Sequence, residues 1–184
     1  MINPRLIRTN QKGITLVELL VVIGMIGVLG VISYPVFSRF MKPYDFRAAA
    51  REVMTTAMQA RSNAVRDNAS WQVVFNSGGN TFSLVDPDGA VVTTHDLSQS
   101  YGNGIRLIGS LDTSCGNAAK DWNGTGISQA ASLSFTGRGF GGNATVYLVS
   151  GTNDVCAAVN TTVTGVIRLR SYDGTTPYAD SHWR

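Results

Sequence analysis

The chain has 184 residues, of which 43% are hydrophobic and only 15% are charged. This length suits one domain with an appendage, and the hydrophobic fraction excludes an intrinsically disordered protein. The formal net charge of +3 comes from the first thirteen residues, which hold Arg5, Arg8 and Lys12 and no acid. Without them, 12 basic residues face 12 acidic ones, so the remainder has no built-in electrostatic attraction for nucleic acid.

After this basic leader, residues 14–34 read ITLVELLVVIGMIGVLGVISY and carry a single charge, Glu18. A helix of this length spans about 31 Å, which matches the hydrocarbon thickness of a bilayer. The preceding basic residues favour a cytoplasmic N-terminus and export of the C-terminal part of the chain. The stretch is too long for a secretory signal, and no small-x-small cleavage site comes after it. A plain membrane anchor leaves Glu18 unexplained, because an intramembrane carboxylate costs free energy unless it has a partner.

The helical pattern continues beyond Pro35 and Pro43, and each proline is expected to kink or break the helix because it lacks a backbone donor. Further on, apolar residues recur at alternating spacings of four and three. This spacing predicts an amphipathic helix over 44–68 with its apolar side against a packed surface. The apolar stripe comprises Phe46, Ala50, Val53, Ala57, Ala60 and Ala64, and Met54, Met58 and Val65 are expected to widen it.

From residue 70 onward the apolar period changes to two, which indicates β-strands. The predicted strands are WQVVFN, TFSLVD, AVVTTHDL, IRLIGS, SLSFTG, TVYLVS and TTVTGVIRLRSY. The first two read as a hairpin closed by residues 77–80. A long helix followed by these strands predicts an α+β fold, with the helix packed on an antiparallel β-sandwich or a strongly bent sheet. The expected organisation is a leader over 1–13, a hydrophobic helix half over 14–40 and a globular domain over 41–184, whose β region is 70–184.

The two cysteines, Cys115 and Cys156, lie in polar stretches rich in glycine and asparagine. Neither belongs to a C-x-x-C pair, which argues against zinc and thioredoxin-like chemistry. In an exported domain, a disulfide closing this loop of roughly 40 residues stabilises by about 3–4.5 kcal/mol on the chain-entropy account. The alternative is two unpaired thiols in loops.

The stretch KGITLVELL over 12–20 resembles the type IV prepilin signature, in which a glycine precedes the cleavage point and a glutamate is the fifth mature residue. Here those positions are Gly13, Ile14 and Glu18, although many members begin with phenylalanine. The resemblance implies cleavage after Gly13 by a prepilin peptidase and N-methylation of Ile14. In the fibre, the Glu18 carboxylate would pair with the Ile14 amine of a neighbouring subunit. Pro35 falls where pilins carry a helix-loosening proline.

The stretch AMQARSNAVRDNASWQVVF resembles the helix-to-strand region of the GspH/FimT minor pilins and pseudopilins; the matching residues are Arg61, Ser62, Ala64, Val65 and Asn68. The resemblance implies a pilin fold and a structural subunit with a priming or tip role in a type IV pilus or type II secretion pseudopilus. Its implied partners are other pilins in a helical fibre and an inner-membrane assembly platform. Its implied location is the bacterial inner membrane, as a single-pass protein with a periplasmic globular domain, and then the fibre.

No catalytic or metal-binding set is visible, and the sequence predicts a structural protein with no cofactor rather than an enzyme. His95 and His182 read as isolated surface or loop residues. The carboxylates of Asp86, Asp88 and Asp96 lack the spacing of a calcium loop.

DNA binding is the alternative function. Some members of this family act in DNA uptake through a Gly-Arg-x-Arg element, and the nearest match here is Gly137–Phe140, in which phenylalanine replaces the second arginine. Arg168 and Arg170 alternate on a predicted strand, so they share one face. These two arginines and Arg138 could hold phosphates. A solvated strand face is the favoured interpretation.

Overall fold

The computed structural model describes residues 14–108, 129–150 and 155–172. The chain divides into two compact units, Met1–Met41 and Lys42–Arg184, and the second is here called the globular unit. The elements in chain order are α1 (Leu16–Asp67), β1 (Trp71–Asn76), β2 (Thr81–Val85), β3 (Val91–Asp96), α2 (Leu97–Tyr101), β4 (Ile105–Leu107), β5 (Ser132–Phe135), β6 (Ala144–Ser150), β7 (Cys156–Thr161) and β8 (Ile167–Tyr172). One long helix followed by antiparallel strands confirms the α+β fold class.

Helix α1 has a recognisable signal at each end. At its start, the Thr15 hydroxyl accepts a hydrogen bond from the Glu18 N–H at 3.2 Å, as an N-cap residue does. At its end, Asn68 takes a positive φ of 48°, and the Ala69 N–H donates to the Ala64 carbonyl at 3.1 Å. This bond around a left-handed residue is a Schellman ending, and asparagine tolerates the left-handed conformation better than most residues.

Pro35 and Pro43 lie inside the 52-residue α1 helix and not at breaks in it. The expectation that a proline interrupts the helix is therefore wrong. Each proline removes only one backbone donor, and a long helix retains its hydrogen bonds on both sides of that loss. A kink at either proline stays a prediction.

The second half of α1 forms one wall of the core. All six residues of the predicted stripe are buried, together with Ala49. By contrast, Met58 and Val65 are 45% and 52% exposed, so the expectation that they widen the buried stripe is wrong. Each follows a stripe residue directly, and one residue is a rotation of about 100° around the helix, which turns both side chains away from the core.

The strands form two four-stranded antiparallel sheets, here called sheet A (order β3-β2-β1-β5) and sheet B (order β4-β6-β7-β8). The predicted β1–β2 hairpin is confirmed, with Asn76 opposite Thr81. The segment predicted as one strand over 161–172 instead comprises the last residue of β7, a turn over 162–166 in which Gly165 has a φ of 75°, and strand β8. Strand β7 is absent from the predicted strands because its sequence, CAAVNT, holds only two β-branched residues.

The main hydrophobic core lies between α1 and both sheets. Strand β1 contributes Trp71, Val73 and Phe75 to it, in strict alternation with more exposed residues. A smaller cluster lies on the opposite face of sheet B and comprises Ile108, Tyr147, Val149, Cys156, Ala158 and Tyr172. Sheet B therefore carries buried apolar residues on both of its faces.

Asn80 connects the two sheets at the end of the β1–β2 hairpin. Its amide donates to the Ser98 hydroxyl at 2.9 Å and to the Ile105 carbonyl at 2.8 Å. Its Oδ1 accepts from the Leu107 N–H at 2.8 Å. Because these partners lie on α2 and β4, one side chain fixes an edge strand of sheet B to a hairpin of sheet A.

Candidate functional site

The start of α1 brings Thr15 and Glu18 together. The Thr15 hydroxyl lies 3.5 Å from Glu18 Oε2 and donates to it, while it also accepts from the Glu18 N–H. The Thr-x-x-Glu spacing is that of a capping box, and a carboxylate in the first turn is favoured by the positive end of the helix dipole. Glu18 thus has a local function in addition to its predicted role in assembly. Gly13 lies outside the described residues.

The N-terminal half of α1 exposes apolar side chains on all sides. Every large apolar residue from Ile14 to Val31 is between 48% and 79% exposed. A helix that is apolar all around is stable where lipid or other protein covers it. Across the described part of the chain, no helix has both the length and the apolar character of a membrane span.

At the other end of α1, three segments meet: the last turns of the helix, the turn 136–141 after β5, and the turn 162–166 between β7 and β8. We call this junction the corner. The Arg61 Nε–H donates to the Gly139 carbonyl at 3.1 Å, which joins the helix to the first turn. The Gly141 N–H donates to the Val163 carbonyl at 3.2 Å, which joins the two turns.

Two glycines allow the close approach at the corner. A Cβ on Gly137 would lie 2.5 Å from the carbonyl carbon of Asn68, so a side chain there would collide with the backbone at the helix end. Gly165 has a φ of 75°, and a Cβ there would overlap the Gly139 carbonyl oxygen. The glycine-rich sequence after β5 is therefore explained by packing against the helix end and the β7–β8 turn.

A groove of about 560 Å³ runs along the corner, and its charged residues are both arginines. It is lined by Met58, Arg61, Ser62, Val65, Arg138, Gly139, Val166 and Ile167. Arg138 is exposed and makes no hydrogen bond or ion pair among the described residues. The lining thus combines two cations with four apolar side chains and contains no carboxylate.

Two protein families match the chain. Residues 8–34 match the prokaryotic N-terminal methylation motif, and residues 49–165 match the family of the type II transport protein GspH. The second match covers more than half of the chain. The chain belongs to the GspH family. The matched range contains the corner residues Arg61, Gly137 and Gly139, and it ends at Gly165.

Two crystal structures of the Pseudomonas aeruginosa type IV minor pilin FimU are similar to this GspH-family protein at 17% identity. The first has a TM-score of 0.49 and covers 79% of this chain and 96% of that chain. The second has a TM-score of 0.45 and covers 75% of this chain and 96% of that chain. No curated protein sequence matches the chain significantly.

The predicted basic residues of this GspH-family protein lie on different surfaces. Arg138 shares the groove with Arg61. The sequence did not indicate that Arg61 contributes to this basic surface, because the two arginines are far apart in the chain. On β8, Ile167 packs against the main core, whereas Arg168 and Arg170 lie on the opposite face of sheet B. The structure therefore brings Arg138 together with Arg61 and not with the two strand arginines.

His95 lies on β3, and the interpretation of it as an isolated residue is wrong. Its Nδ1 is 2.6 Å from Glu52 Oε1 on α1, and its ring stacks on Phe82 with centroids 4.8 Å apart. Near the same carboxylate, burial, then a hydrogen bond to Glu52 and the Glu52 charge raise the pKa of Tyr101 to about 12. This cluster ties the helix to the edge strand of sheet A. His182 lies outside the described residues.

Two of the three aspartates near β3 have local structural roles. Asp86 Oδ1 accepts from two backbone N–H groups of its own turn, at 3.0 and 2.8 Å, which closes an Asx turn. Asp96 is the N-cap of α2. Among the residues that the structure describes, no three His, Cys, Asp or Glu side chains are grouped so that they could hold a metal ion.

Cys156 is disulfide-bonded and buried within the smaller cluster of sheet B. It is the first residue of β7, so it does not lie in the polar loop that its flanking sequence indicated. Cys115, the other cysteine of the sequence, lies outside the described residues. The pairing of Cys115 with Cys156 stays a prediction.

Proposed function

We propose that this GspH-family protein is a structural subunit of a type IV pilus or type II secretion pseudopilus, in which it has a priming or tip role. The observation that carries the proposal is the N-terminal half of α1, which exposes apolar side chains on every side. Such a helix needs an apolar environment, which lipid supplies before assembly and neighbouring helices supply in a fibre. The match to the N-terminal methylation motif supports the same role.

Processing is the first step of this function. A prepilin peptidase would cleave after Gly13 and leave an N-methylated amine on Ile14, which retains its positive charge. Because α1 begins at Leu16, the mature chain would be helical from its third residue. Mass spectrometry of the native protein is expected to find Ile14 at the N-terminus. An intact leader, or a cut after Tyr34, would contradict this step.

Assembly would then proceed through the charges at the helix start. In a bundle of parallel helices, the Glu18 carboxylate of one subunit neutralises the Ile14 amine of its neighbour. Removing one partner of a fully buried ion pair costs about 3–5 kcal/mol, and less at a wet boundary. Even about 1.4 kcal/mol shifts a docking equilibrium tenfold.

The local capping role and the pairing role of Glu18 can be separated by matched variants. Glu18→Gln keeps a hydrogen-bond acceptor and loses the charge, and Glu18→Leu loses both. Thr15→Val removes the cap and keeps the charge. The measurement is recovery of each variant with sheared fibres, at equal membrane levels.

We expect both Glu18 variants to fall at least about tenfold in the fibres and Thr15→Val to fall much less. Equal recovery of Glu18→Leu and wild type would refute charge pairing. Equal losses in Thr15→Val and Glu18→Leu that spare Glu18→Gln would assign Glu18 to helix capping alone. A partial loss in the Glu18 variants would still fit the proposed tip role, since a subunit at the end of the fibre has a neighbour on one side only.

The proposal includes single-pass anchoring in the bacterial inner membrane, with the globular unit in the periplasm before assembly. Its partners are a prepilin peptidase, other pilins or pseudopilins and the assembly platform in the inner membrane. No catalytic step is assigned to any residue of the chain, and no cofactor is part of the proposal.

DNA binding is the second candidate, and the observation in its favour is that Arg61 and Arg138 share one groove. Two phosphate contacts predict a slope of about −2 in the logarithm of affinity against the logarithm of salt, which indicates weak binding. A mobility shift of the detergent-solubilised full chain, titrated with salt, tests it. Arg138→Ala should then weaken the shift, and Arg168→Ala serves as a matched control.

A further inference from the structure

The corner groove is a cationic and apolar surface that no part of the described chain covers. Its two arginines carry the charge, and Val65 and Val166 are exposed apolar residues beside them. Its wall is rigid, because the Arg61 Nε–H is bound to the Gly139 carbonyl and the two turns are hydrogen-bonded to each other. A rigid surface of this composition favours an acidic segment with apolar neighbours.

A segment of that composition is exposed on the same chain. Residues 86–92 read DPDGAVV, with two carboxylates and no cation. Asp88 is exposed, and so are Val91 and Val92 at the start of the edge strand β3. The turn is held in one conformation by the hydrogen bonds to Asp86 Oδ1, so little entropy is lost when it docks. We call residues 86–92 the acidic edge.

The two surfaces lie at the same end of sheet A but at opposite edges. Strands β2 and β5 both run antiparallel to β1, so both end where β1 begins, next to the C-terminal end of α1. The turn after β5 forms the groove, and the turn after β2 leads into β3. In the order β3-β2-β1-β5, the two edges are three strand spacings apart, which is about 14 Å.

This arrangement fits side-by-side contact between parallel subunits. Two copies that stand with their α1 helices parallel present the groove of one and the acidic edge of the other at the same height. Such a contact is heterologous, because each copy uses a different surface. Heterologous contacts that do not close into a ring generate a helical filament.

We propose that the corner groove receives the acidic edge of a second copy of this chain, with Asp88 against Arg138. The valines at the start of β3 would then cover the apolar lining of the groove. This inference rests on the proposed function, since it requires parallel subunits in one assembly, and it further requires that two copies of the chain are neighbours there. A subunit at the end of the fibre would use only one of its two surfaces.

Photo-crosslinking in the native cell tests the contact with the full chain. The probe is p-benzoylphenylalanine in place of Val166, and the adducts are mapped by mass spectrometry in both membrane and sheared-fibre fractions. We expect an adduct between two copies that maps to residues 86–92. The same probe in place of Arg168, an exposed residue on the other face of sheet B, should not give this adduct.

Charge reversal supplies the second test. Arg138→Asp and Asp88→Arg should each lower the yield of the adduct about tenfold, because like charges then face each other across the contact. The double variant should restore the yield to within about threefold of the parent. Arg168→Asp should leave the yield unchanged.

Adducts that map elsewhere on a second copy, to a different pilin or to DNA would overturn the inference. So would the absence of any adduct in fibres that contain the chain, or a double variant no better than the single ones. In each of these cases the proposed function stands. If the chain is absent from fibres and from their membrane intermediates, the proposed function fails and the inference fails with it.

Discussion

The two halves of helix α1 differ in how their apolar side chains are exposed. From Ile14 to Val31, large apolar side chains surround the helix and are exposed, whereas the apolar stripe from Phe46 to Ala64 is at most 5% exposed. The first half uses leucine, isoleucine and valine on every side, and the second uses a narrow stripe of mostly small residues. The second half therefore finds its partner within the unit Lys42–Arg184, and the first half exposes an apolar surface that lipid or other protein can cover.

The largest expected effect is the difference in unfolding free energy between two leucine-to-alanine substitutions, one in the globular unit and one in the first half of α1. Leu84 is 0% exposed in the main core, and Leu84→Ala should cost about 2–5 kcal/mol of unfolding free energy. Leu20 is 64% exposed, and Leu20→Ala should change the unfolding of the globular unit by less than about 0.5 kcal/mol. Denaturant unfolding of the full chain in detergent, followed by tryptophan fluorescence, measures both. Equal losses in the two variants would break the comparison between the halves.

The predicted Cys115–Cys156 disulfide should act on the globular unit alone. Reduction should lower the unfolding free energy of that unit by about 3–4.5 kcal/mol on the chain-entropy account. The helicity of the N-terminal half, followed by circular dichroism in detergent, should not change. Thiol labelling of the denatured, unreduced protein provides the check on pairing, since two reactive thiols would show that the intramolecular bond does not exist.

Glycine substitutions give a smaller effect that differs in sign between the regions. Gly137→Ala should destabilise by about 1–3 kcal/mol, because its Cβ would collide with the backbone of Asn68. Gly30→Ala lies in a helix with no atom within 4 Å of the new Cβ, so it should stabilise the isolated helix by about 0.5–1 kcal/mol. Thermal unfolding and helicity measure the two effects, and a neutral Gly137→Ala would contradict the packing described for the corner.

The parts of the fold that could be predicted are those set by local periodicity. The apolar stripe of α1 and the β1–β2 hairpin depend on spacings within a few residues. The corner and the helix–sheet hydrogen bond could not be predicted, because their contacts join residues far apart in the chain: Arg61 and Gly139 are separated by 78 residues, and Glu52 and His95 by 43. The helix start does have a local signal, since the Thr15-x-x-Glu18 spacing is that of a capping box, and Thr15 is the N-cap residue of α1 in the structure.

The smallest expected effect is a pH dependence confined to the Tyr101 cluster of the globular unit. Burial and the neighbouring Glu52 carboxylate raise the pKa of Tyr101 from 10.0 to about 12 in the folded state. Between these values the unfolded chain loses the phenolic proton while the folded chain retains it. The stabilising contribution is therefore complete below about pH 10 and is lost as the pH rises to about 12.

Tyr101→Phe should remove this decrease of the unfolding free energy with pH. The decrease amounts to about 1 kcal/mol between these pH values, after allowance for partial solvent contact. Unfolding free energies measured from pH 9 to 12 provide the test, with the exposed Tyr44→Phe as the control variant. If the unfolding free energy of Tyr101→Phe decreases with pH as steeply as that of the wild type, the alkaline destabilisation arises from other groups and not from Tyr101.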